Sequence, residues 1–202
     1  MYTRKGAMFY LVVLTLLISS STLRAFAQTF TISVVPSTAS VNLGEEVTFN
    51  VTATDVPSPG LWSYQLKITY NSTLLNATSA EIPSDHMLKP ISPSKIFIVE
   101  PGTIDQTAGT IFFALTLLGD EPGKTGDGTL ATATFKGLAM GSSTINFTEM
   151  ILVDGDGNEI PAGSYEIDTS TADVVPEFST VALIAVLAIM SVAAVGLKKK
   201  LR

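Results

Sequence analysis

Residues 62–70 read Trp62-Ser63-Tyr64-Gln65-Leu66-Lys67-Ile68-Thr69-Tyr70. Apolar or aromatic side chains occupy every even position, and polar side chains occupy every odd position. Because successive side chains of a β-strand point to opposite faces, this alternation predicts a strand with one buried and one solvated side. The same two-residue period recurs at 47–54 and 131–136, and the region around these runs holds no helical stripe of ten residues.

Shorter runs of similar composition predict further strands, separated by turns rich in Gly, Pro, Asn and Asp. The nine predicted strands are 30–35, 47–54, 62–70, 95–99, 111–118, 131–136, 143–148, 150–153 and 165–168. A single sheet would bury only one of its faces, so the sequence predicts an all-β fold, an antiparallel two-sheet sandwich. Threonine supplies 21 of residues 28–175, which suits β-branched side chains on a solvated sheet.

The charge and cysteine content of the chain exclude several functions. Residues 28–175 contain five lysines, no arginine and seventeen acidic residues, for a net charge of −12 with His86 neutral. A nucleic-acid interface needs clustered cations against phosphate, so we expect no nucleic-acid partner. The absence of cysteine from the whole sequence excludes a disulfide scaffold, a thiolate metal site and a cysteine nucleophile.

The first 27 residues have the pattern of a secretory signal peptide. Two basic residues precede an apolar run at 7–18, and the small residues Ala25 and Ala27 predict cleavage before Gln28. The alternative is an uncleaved anchor, but this run is short compared with the ~20 residues that a membrane-spanning helix needs. We therefore expect an exported chain whose folded domain covers residues 28–173.

The other end of the chain predicts a single transmembrane helix. Residues 179–197 carry no charge, and 198–202 contain four cations. Nineteen residues in a helix extend about 28 Å, close to the hydrocarbon thickness of a bilayer. Since cations are retained on the cytoplasmic side, the basic tail is predicted to be cytoplasmic and the domain extracellular.

The juncture at 174–178 contains Pro176, Glu177 and Phe178. This triplet, followed by an apolar stretch and a basic cluster, resembles the PEF-type C-terminal sorting signals of archaeal surface proteins. The resemblance implies that a membrane transpeptidase, an archaeosortase, cuts near the triplet and transfers the protein to another surface anchor. The alternative is a plain membrane anchor that retains its span.

Five segments between residues 30 and 170 follow one another in a recognisable order, and they are 41–51, 65–75, 109–114, 126–136 and 139–145. Their order and spacing resemble the cohesin family, β-sandwich modules that capture dockerins in cellulosome-type assemblies and recur in archaeal surface proteins. The sequence departs from the family at Tyr70-Asn71-Ser72, where cohesins usually have Tyr-Asp-Pro. The resemblance implies a nine-stranded, jelly-roll-like sandwich, related in shape to some carbohydrate-binding modules.

These observations together predict a non-catalytic module anchored at the cell surface that binds a dockerin-like protein in a polysaccharide-related or surface assembly. Two alternatives stay open, namely direct binding of an extracellular polysaccharide and an architectural role in a surface layer or in adhesion. Spacing alone leaves open a carboxylate pair for glycoside hydrolysis, but no convergent catalytic set stands out. We therefore expect no enzyme and no cofactor.

Four Asn-x-Ser/Thr sequons make candidate N-glycosylation sites on an exported chain. They are Asn50, Asn71, Asn76 and Asn146. Asn50 and Asn146 fall at outward positions of predicted strands. We favour Asn71 and Asn76, because they flank an irregular segment after a strand.

Two loops resemble ligand-binding motifs but fit them poorly. The loop 154–159 places Asp154 and Asp156 two residues apart, yet an EF-hand needs Gly at its sixth position and Glu at its twelfth. We interpret it as a hairpin turn, and calcium binding at these two aspartates stays open. The segment 119–125 has three residues between its glycines where a phosphate-binding loop needs four, so we reject that function.

Two other candidates are explained better by ordinary structure. His86 is the only histidine, and we interpret it as a loop residue rather than part of a catalytic triad or a histidine-rich metal site. Trp62 and Tyr64 could stack against a sugar ring. They share the phase of Leu66 and Ile68, however, which favours burial in the core.

Overall fold

The computed structural model describes residues 29–176. The predicted cleavage site at Ala25, Ala27 and Gln28, the Glu177-Phe178 part of the triplet, and the predicted span and tail at 179–202 lie outside the described residues. Between 29 and 176, no helix is long and apolar enough to cross a membrane.

Residues 29–176 form ten strands and one short 3₁₀ turn, Pro93–Lys95. The strands are β1 Phe30–Val35, β2 Thr38–Asn42, β3 Glu46–Thr69, β4 Leu75–Glu81, β5 Ile96–Asp105, β6 Thr110–Leu117, β7 Lys124–Gly137, β8 Gly141–Asp154, β9 Tyr165–Asp168 and β10 Ser170–Val175. The all-β prediction is therefore confirmed.

The strands make two layers that share the 24-residue strand β3. The first half of β3 pairs with β1 and β7, in a layer ordered β9-β1-β3-β7-β4. Its second half pairs with β6 and β8, in a layer ordered β5-β6-β3-β8-β10-β2. The strand crosses between layers around 57–60, where its register with β7 shifts. Gly60 has φ +90°, and a Cβ there would lie 2.5 Å from the Gly123 carbonyl carbon, so the crossing requires glycine.

The strand count and the all-antiparallel arrangement differ from the prediction. The runs at 47–54 and 62–70 belong to the single strand β3, and those at 143–148 and 150–153 to the single strand β8. Strands β2, β4 and β10 were not predicted, because they are short of large apolar residues. The pairs β1–β9 and β2–β10 are parallel. Strand β10 also continues to Val175, two residues past the predicted domain boundary at 173.

The core lies between the two layers. The even positions of 62–70 point inward as predicted, with Tyr64, Leu66 and Ile68 buried. The ring of Phe135 on β7 contacts those of Phe49 and Tyr70 edge-on, with centroids 6.0 and 4.9 Å apart. The Tyr64 hydroxyl donates a 2.7 Å hydrogen bond to the Leu130 carbonyl, which ties the layers together. Burial raises the pKa of Tyr64, since the phenolate would lose its hydration.

Candidate protein-docking face

One outer face of the sandwich carries apolar and charged side chains side by side, and we call it the mixed face. It consists of the outward side chains of β5, β6, the second half of β3, and β8. Cross-strand pairing arranges them in three rows, which are Phe97–Thr116–Ser63–Val153, Glu100–Ala114–Gln65–Ile151 and Thr103–Phe112–Lys67–Glu149.

The mixed face exposes large apolar side chains within a frame of polar groups. Phe97 is 57% exposed and Ile151 is 39% exposed. Between them, Gln65 donates a hydrogen bond to the carboxylate of Glu149. Protein interfaces combine apolar and aromatic anchors with a satisfied polar surround, so this composition is typical of a docking surface.

The opposite outer face is rich in hydroxyl groups, and we call it the hydroxyl face. It is formed by the outward side chains of β1, the first half of β3, and β7, and its cross-strand pairs are Thr31–Thr54, Ser33–Thr52, Thr52–Thr129, Val35–Asn50, Asn50–Thr132 and Thr48–Thr134. The Thr132 hydroxyl donates to Asn50 Oδ1 at 3.0 Å, and the hydroxyls of Thr48 and Thr134 lie 2.9 Å apart. These groups satisfy one another across the strands.

Trp62 lies at the end of the sandwich where the second half of β3 begins. It is half-buried, and its indole N–H donates to the Glu121 carbonyl at 3.0 Å. It borders a depression of ≈ 320 Å³ that Asp120 and Asp156 also line. Tyr64 is buried in the core, as predicted, and cannot form a sugar platform with Trp62.

The segment 119–125, for which the sequence already excludes phosphate binding, contains two residues that form ion pairs with lysines. Lys124, the cation that would contact a phosphate, donates to the Glu121 carboxylate at 2.8 Å, and strand β7 rather than a helix begins there. This hydrogen bond, with a second from the Ile91 N–H, lowers the pKa of Glu121. Lys95 pairs with Asp120, which raises the pKa of Lys95 and lowers that of Asp120. These contacts are those of a loop with a structural role.

The loop after β8 is a hairpin turn, as predicted. One carboxylate oxygen of Asp154 accepts the backbone N–H groups of Asp156 and Asn158, both at 2.9 Å. The chain then reverses, so that Ile160 N–H donates to Leu152 at 2.8 Å. Between residues 29 and 176, no group of three or more His, Cys, Asp or Glu side chains could hold a metal ion.

His86 is a loop residue, as predicted, in the connection between β4 and β5. The side chain is buried, its Nδ1 has no hydrogen-bond partner, and burial together with Lys89 lowers its pKa, partly opposed by Asp85. A catalytic triad needs a carboxylate on the second ring nitrogen of its histidine, which Nδ1 lacks here. Next to His86, the Met87 N–H donates to the Thr129 carbonyl at 2.7 Å, which fastens this loop to β7.

The four sequons have different surroundings. Asn50 is half-buried on the hydroxyl face, and Asn146 is exposed on β8 beside Thr69. An irregular segment follows β3 at 71–74, as predicted, and Asn76 flanks it as the second residue of strand β4. Asn71 is exposed in a turn, and its side-chain oxygen accepts both the N–H and the hydroxyl of Thr73, at 3.0 and 2.7 Å. Use of any sequon stays a prediction, and the geometry favours Asn71.

Comparison with known proteins identifies the sequence family that this chain matches. The matching sequence family is described as the Cohesin domain, and the match covers residues 32–170. Among curated proteins, none matches the sequence significantly.

Several solved structures share the fold. One is the non-cellulosomal cohesin of the hyperthermophilic archaeon Archaeoglobus fulgidus, 16% identical over 73% of this chain and 91% of that one, with a TM-score of 0.55. A second is a type II cohesin domain from the cellulosome of Acetivibrio cellulolyticus, 20% identical over 71% and 95%, with a TM-score of 0.57. A third is the sixth cohesin of scaffoldin B from the same organism, solved with the Cel5 dockerin, 15% identical over 73% and 99%, with a TM-score of 0.56.

Proposed function

The chain belongs to the cohesin domain family, and from that premise we propose that it is a non-catalytic module that binds a dockerin-like protein through the mixed face. The observation that carries the choice of face is the exposed aromatic side chain of Phe97, 57% exposed, together with the exposed Ile151, whereas the large apolar side chain exposed on the hydroxyl face is the smaller, aliphatic Val35. An exposed apolar surface with a polar rim is the usual mark of an interaction site.

Two further observations support this proposal. The scaffoldin B cohesin with the same fold was solved bound to a dockerin, which gives the partner class that we carry over. The ion pairs at Glu121 and Asp120 and the hairpin at Asp154 are explained by structural contacts, so these three acids do not favour an enzyme.

We further propose that the module works outside the cell, at its surface. This part rests on the sequence of the two termini, with a cleavable signal peptide before Gln28 and a membrane-spanning or sorted segment after Pro176. It follows that the partner is a secreted or surface protein.

Direct carbohydrate binding is the second candidate, and the depression beside Trp62 favours it. An aromatic ring flanked by the carboxylates of Asp120 and Asp156 has the chemistry to stack on a sugar ring and accept its hydroxyl groups. The site is small beside the mixed face, and the Trp62 N–H already has a protein acceptor. We therefore rank it second.

The proposal is tested by capture of a partner on paired variants. Residues 28–176, which contain the whole described sandwich, are immobilised and exposed to the organism's own secreted proteins and to insoluble polysaccharides. The variant Phe97→Ser changes the mixed face, whereas Met140→Ser changes an apolar side chain of comparable exposure, 64% against 57%, in the β7–β8 turn. Circular dichroism and thermal melting check that both variants fold.

We expect one secreted protein to be retained by the parent and by Met140→Ser and to be lost with Phe97→Ser. Retention that survives Phe97→Ser would place the interface elsewhere and contradict the choice of face. Capture of polysaccharide alone, abolished by Trp62→Ala, would establish the second candidate instead.

A further inference from the structure

Exposed apolar side chains gather at the end of the sandwich where the chain leaves it. Met140 is 64% exposed, Leu138 is 48% exposed and Leu43 is 46% exposed, while Leu74 is half-buried among them. We call these four residues the exit-end cluster. They come from the β2–β3, β3–β4 and β7–β8 turns, which are far apart in sequence.

Backbone contacts join these three turns to one another and, through Leu43, to the last residue of β10, and Gly44 N–H donates to the Gly137 carbonyl at 2.9 Å. Leu43 N–H donates to the Val175 carbonyl at 3.1 Å, and Leu138 N–H donates to the Leu74 carbonyl at 2.8 Å. The Leu74 side chain also closes over Gly141, where an added Cβ would lie 3.1 Å from it. The cluster is therefore one continuous structural feature, directly beside the point where the chain continues to Pro176.

The sequence after Pro176 leaves little room between this end and the predicted bilayer. Glu177 and Phe178 alone separate Pro176 from the uncharged stretch that starts at Ser179. Three fully extended residue steps cover at most about 11 Å. A domain tethered so closely to a membrane must hold its exit end near the lipid headgroups.

We propose that the exit-end cluster rests on the lipid surface, with Leu43, Leu138 and Met140 at the boundary between headgroups and acyl chains. Burial at that boundary removes from water the apolar surface that a monomer would otherwise expose. The inference requires that the predicted membrane span is retained rather than cut near Pro176, and it does not depend on the identity of any protein partner.

The charges near the cluster decide which lipid surface it fits. Glu45 precedes β3 and Glu46 is its first residue, which pairs across the strands with Lys136. The Glu45 carboxylate accepts a 2.9 Å hydrogen bond from Asn42. With two carboxylates and one ammonium group, this end would be repelled by an anionic surface, so the proposed occupant is a zwitterionic lipid surface.

This arrangement would set the orientation of the whole module. The second half of β3 runs from Leu61, beside Trp62, to Thr69 at the exit end, about 26 Å at ~3.3 Å per residue. Both outer faces would then stand at the side of the module, with the mixed face open to a partner. Ile91, 85% exposed, hydrogen-bonds through its N–H to Glu121 at the far end and would point away from the membrane.

The absence of cysteine permits a direct test on the full chain. Met140→Cys and, as its control, Ile91→Cys each give a single thiol for an environment-sensitive fluorophore. The labelled chains are placed in phosphatidylcholine vesicles with and without brominated acyl chains. We expect bromine quenching and a blue-shifted emission for the label at 140, and neither for the label at 91.

A second set of variants distinguishes lipid contact of the exit-end cluster from attachment through the predicted membrane span. Leu43→Ser with Leu138→Ser, added to the labelled Met140→Cys chain, is expected to reduce the quenching while the chain still floats with the vesicles. Equal quenching at 140 and 91, or no quenching at 140, would overturn the proposal. A change at 140 that rises with protein density and ignores bromine would assign the cluster to a second copy of the chain. If the full chain does not associate with vesicles, the predicted membrane span is wrong and the inference is refuted. Partner binding by residues 28–176 is measured separately, so the proposed function has its own test.

Discussion

The two outer faces have the same strand architecture but differ in the side chains that they expose to a partner. Both belong to strands with one buried and one wet side, and both are centred on a half of β3. On the hydroxyl face, side chains such as Thr132 and Asn50 bond to each other. On the mixed face, the polar pair Gln65–Glu149 lies beside exposed apolar side chains such as Phe97 and Ile151. The inward half of the alternation specifies the fold, and the outward half distinguishes the hydroxyl face from the proposed binding face.

The largest expected effect is on binding, from a charge placed on each face in turn. Ile151→Arg introduces a bulky cation on the mixed face, and we expect the affinity for the captured partner to fall by at least about 30-fold, the ~2 kcal/mol that marks an interface hot spot. Isothermal titration calorimetry on residues 28–176 measures this change.

Thr134→Arg is the matched control on the hydroxyl face, since it places the same side chain on β7. We expect its affinity to match that of the parent. If the two variants lose affinity equally, the distinction between the faces is wrong.

A smaller effect is expected on stability, from the hydrogen bond that joins the layers. Tyr64→Phe keeps the buried ring but leaves the Leu130 carbonyl without its hydroxyl donor. The free energy of unfolding should fall by about 1–3 kcal/mol, the usual cost of an unsatisfied buried group. Chemical denaturation measures it, and an unchanged midpoint would show that the contact does not stabilise the sandwich.

The pH dependence of stability should contain a contribution from His86. Because its pKa in the folded chain lies below the ordinary value of 6.5, the unfolded chain takes up this proton first as the pH falls. The stability contributed by the neutral ring is present above about pH 6.5 and declines below it. Denaturation midpoints between pH 7.5 and 5 should show this decline in the parent. The slope should be shallower in His86→Gln, and equal slopes would rule His86 out as the cause.

The smallest expected effect comes from the hydroxyl ladder. Thr132→Val removes the donor to Asn50 on a face that water can reach. We expect a loss of less than about 1 kcal/mol in unfolding free energy and no change in partner affinity, since cross-strand pairs contribute roughly 0.2–1 kcal/mol. A clear loss of affinity would mean that the hydroxyl face binds a ligand after all.

Much of the fold follows from sequence period alone. Strands with large apolar residues at alternate positions, such as 62–70, are identified because the pleat turns that alternation into one buried face. The alternation does not predict strand β10, because its inward residues are small, with Ser170 and Ala172 beside Val174. The sequence predicts a turn at 57–60, because its prolines and glycine are typical turn residues. Nothing local in the sequence shows that the same strand resumes in the other layer.

The mixed face was harder to predict than the core. The runs 96–99 and 111–115 are continuously apolar, so their period does not distinguish buried from exposed positions. Phe97 and Phe112 prove to point outward, while Phe113 is buried. A useful signal was present nonetheless, because an uninterrupted apolar run in a two-layer sandwich must place some large side chains on the outside.

The most direct test of the docking proposal is side-chain footprinting of the domain with and without its captured partner. Hydroxyl radicals oxidise exposed side chains, and mass spectrometry reports protection residue by residue. We predict that the partner protects Phe97, Phe112 and Ile151 while Val35 on the hydroxyl face reacts as before. Protection of Val35 with continued oxidation of Phe97 and Ile151 would contradict the assignment of the mixed face as the binding surface.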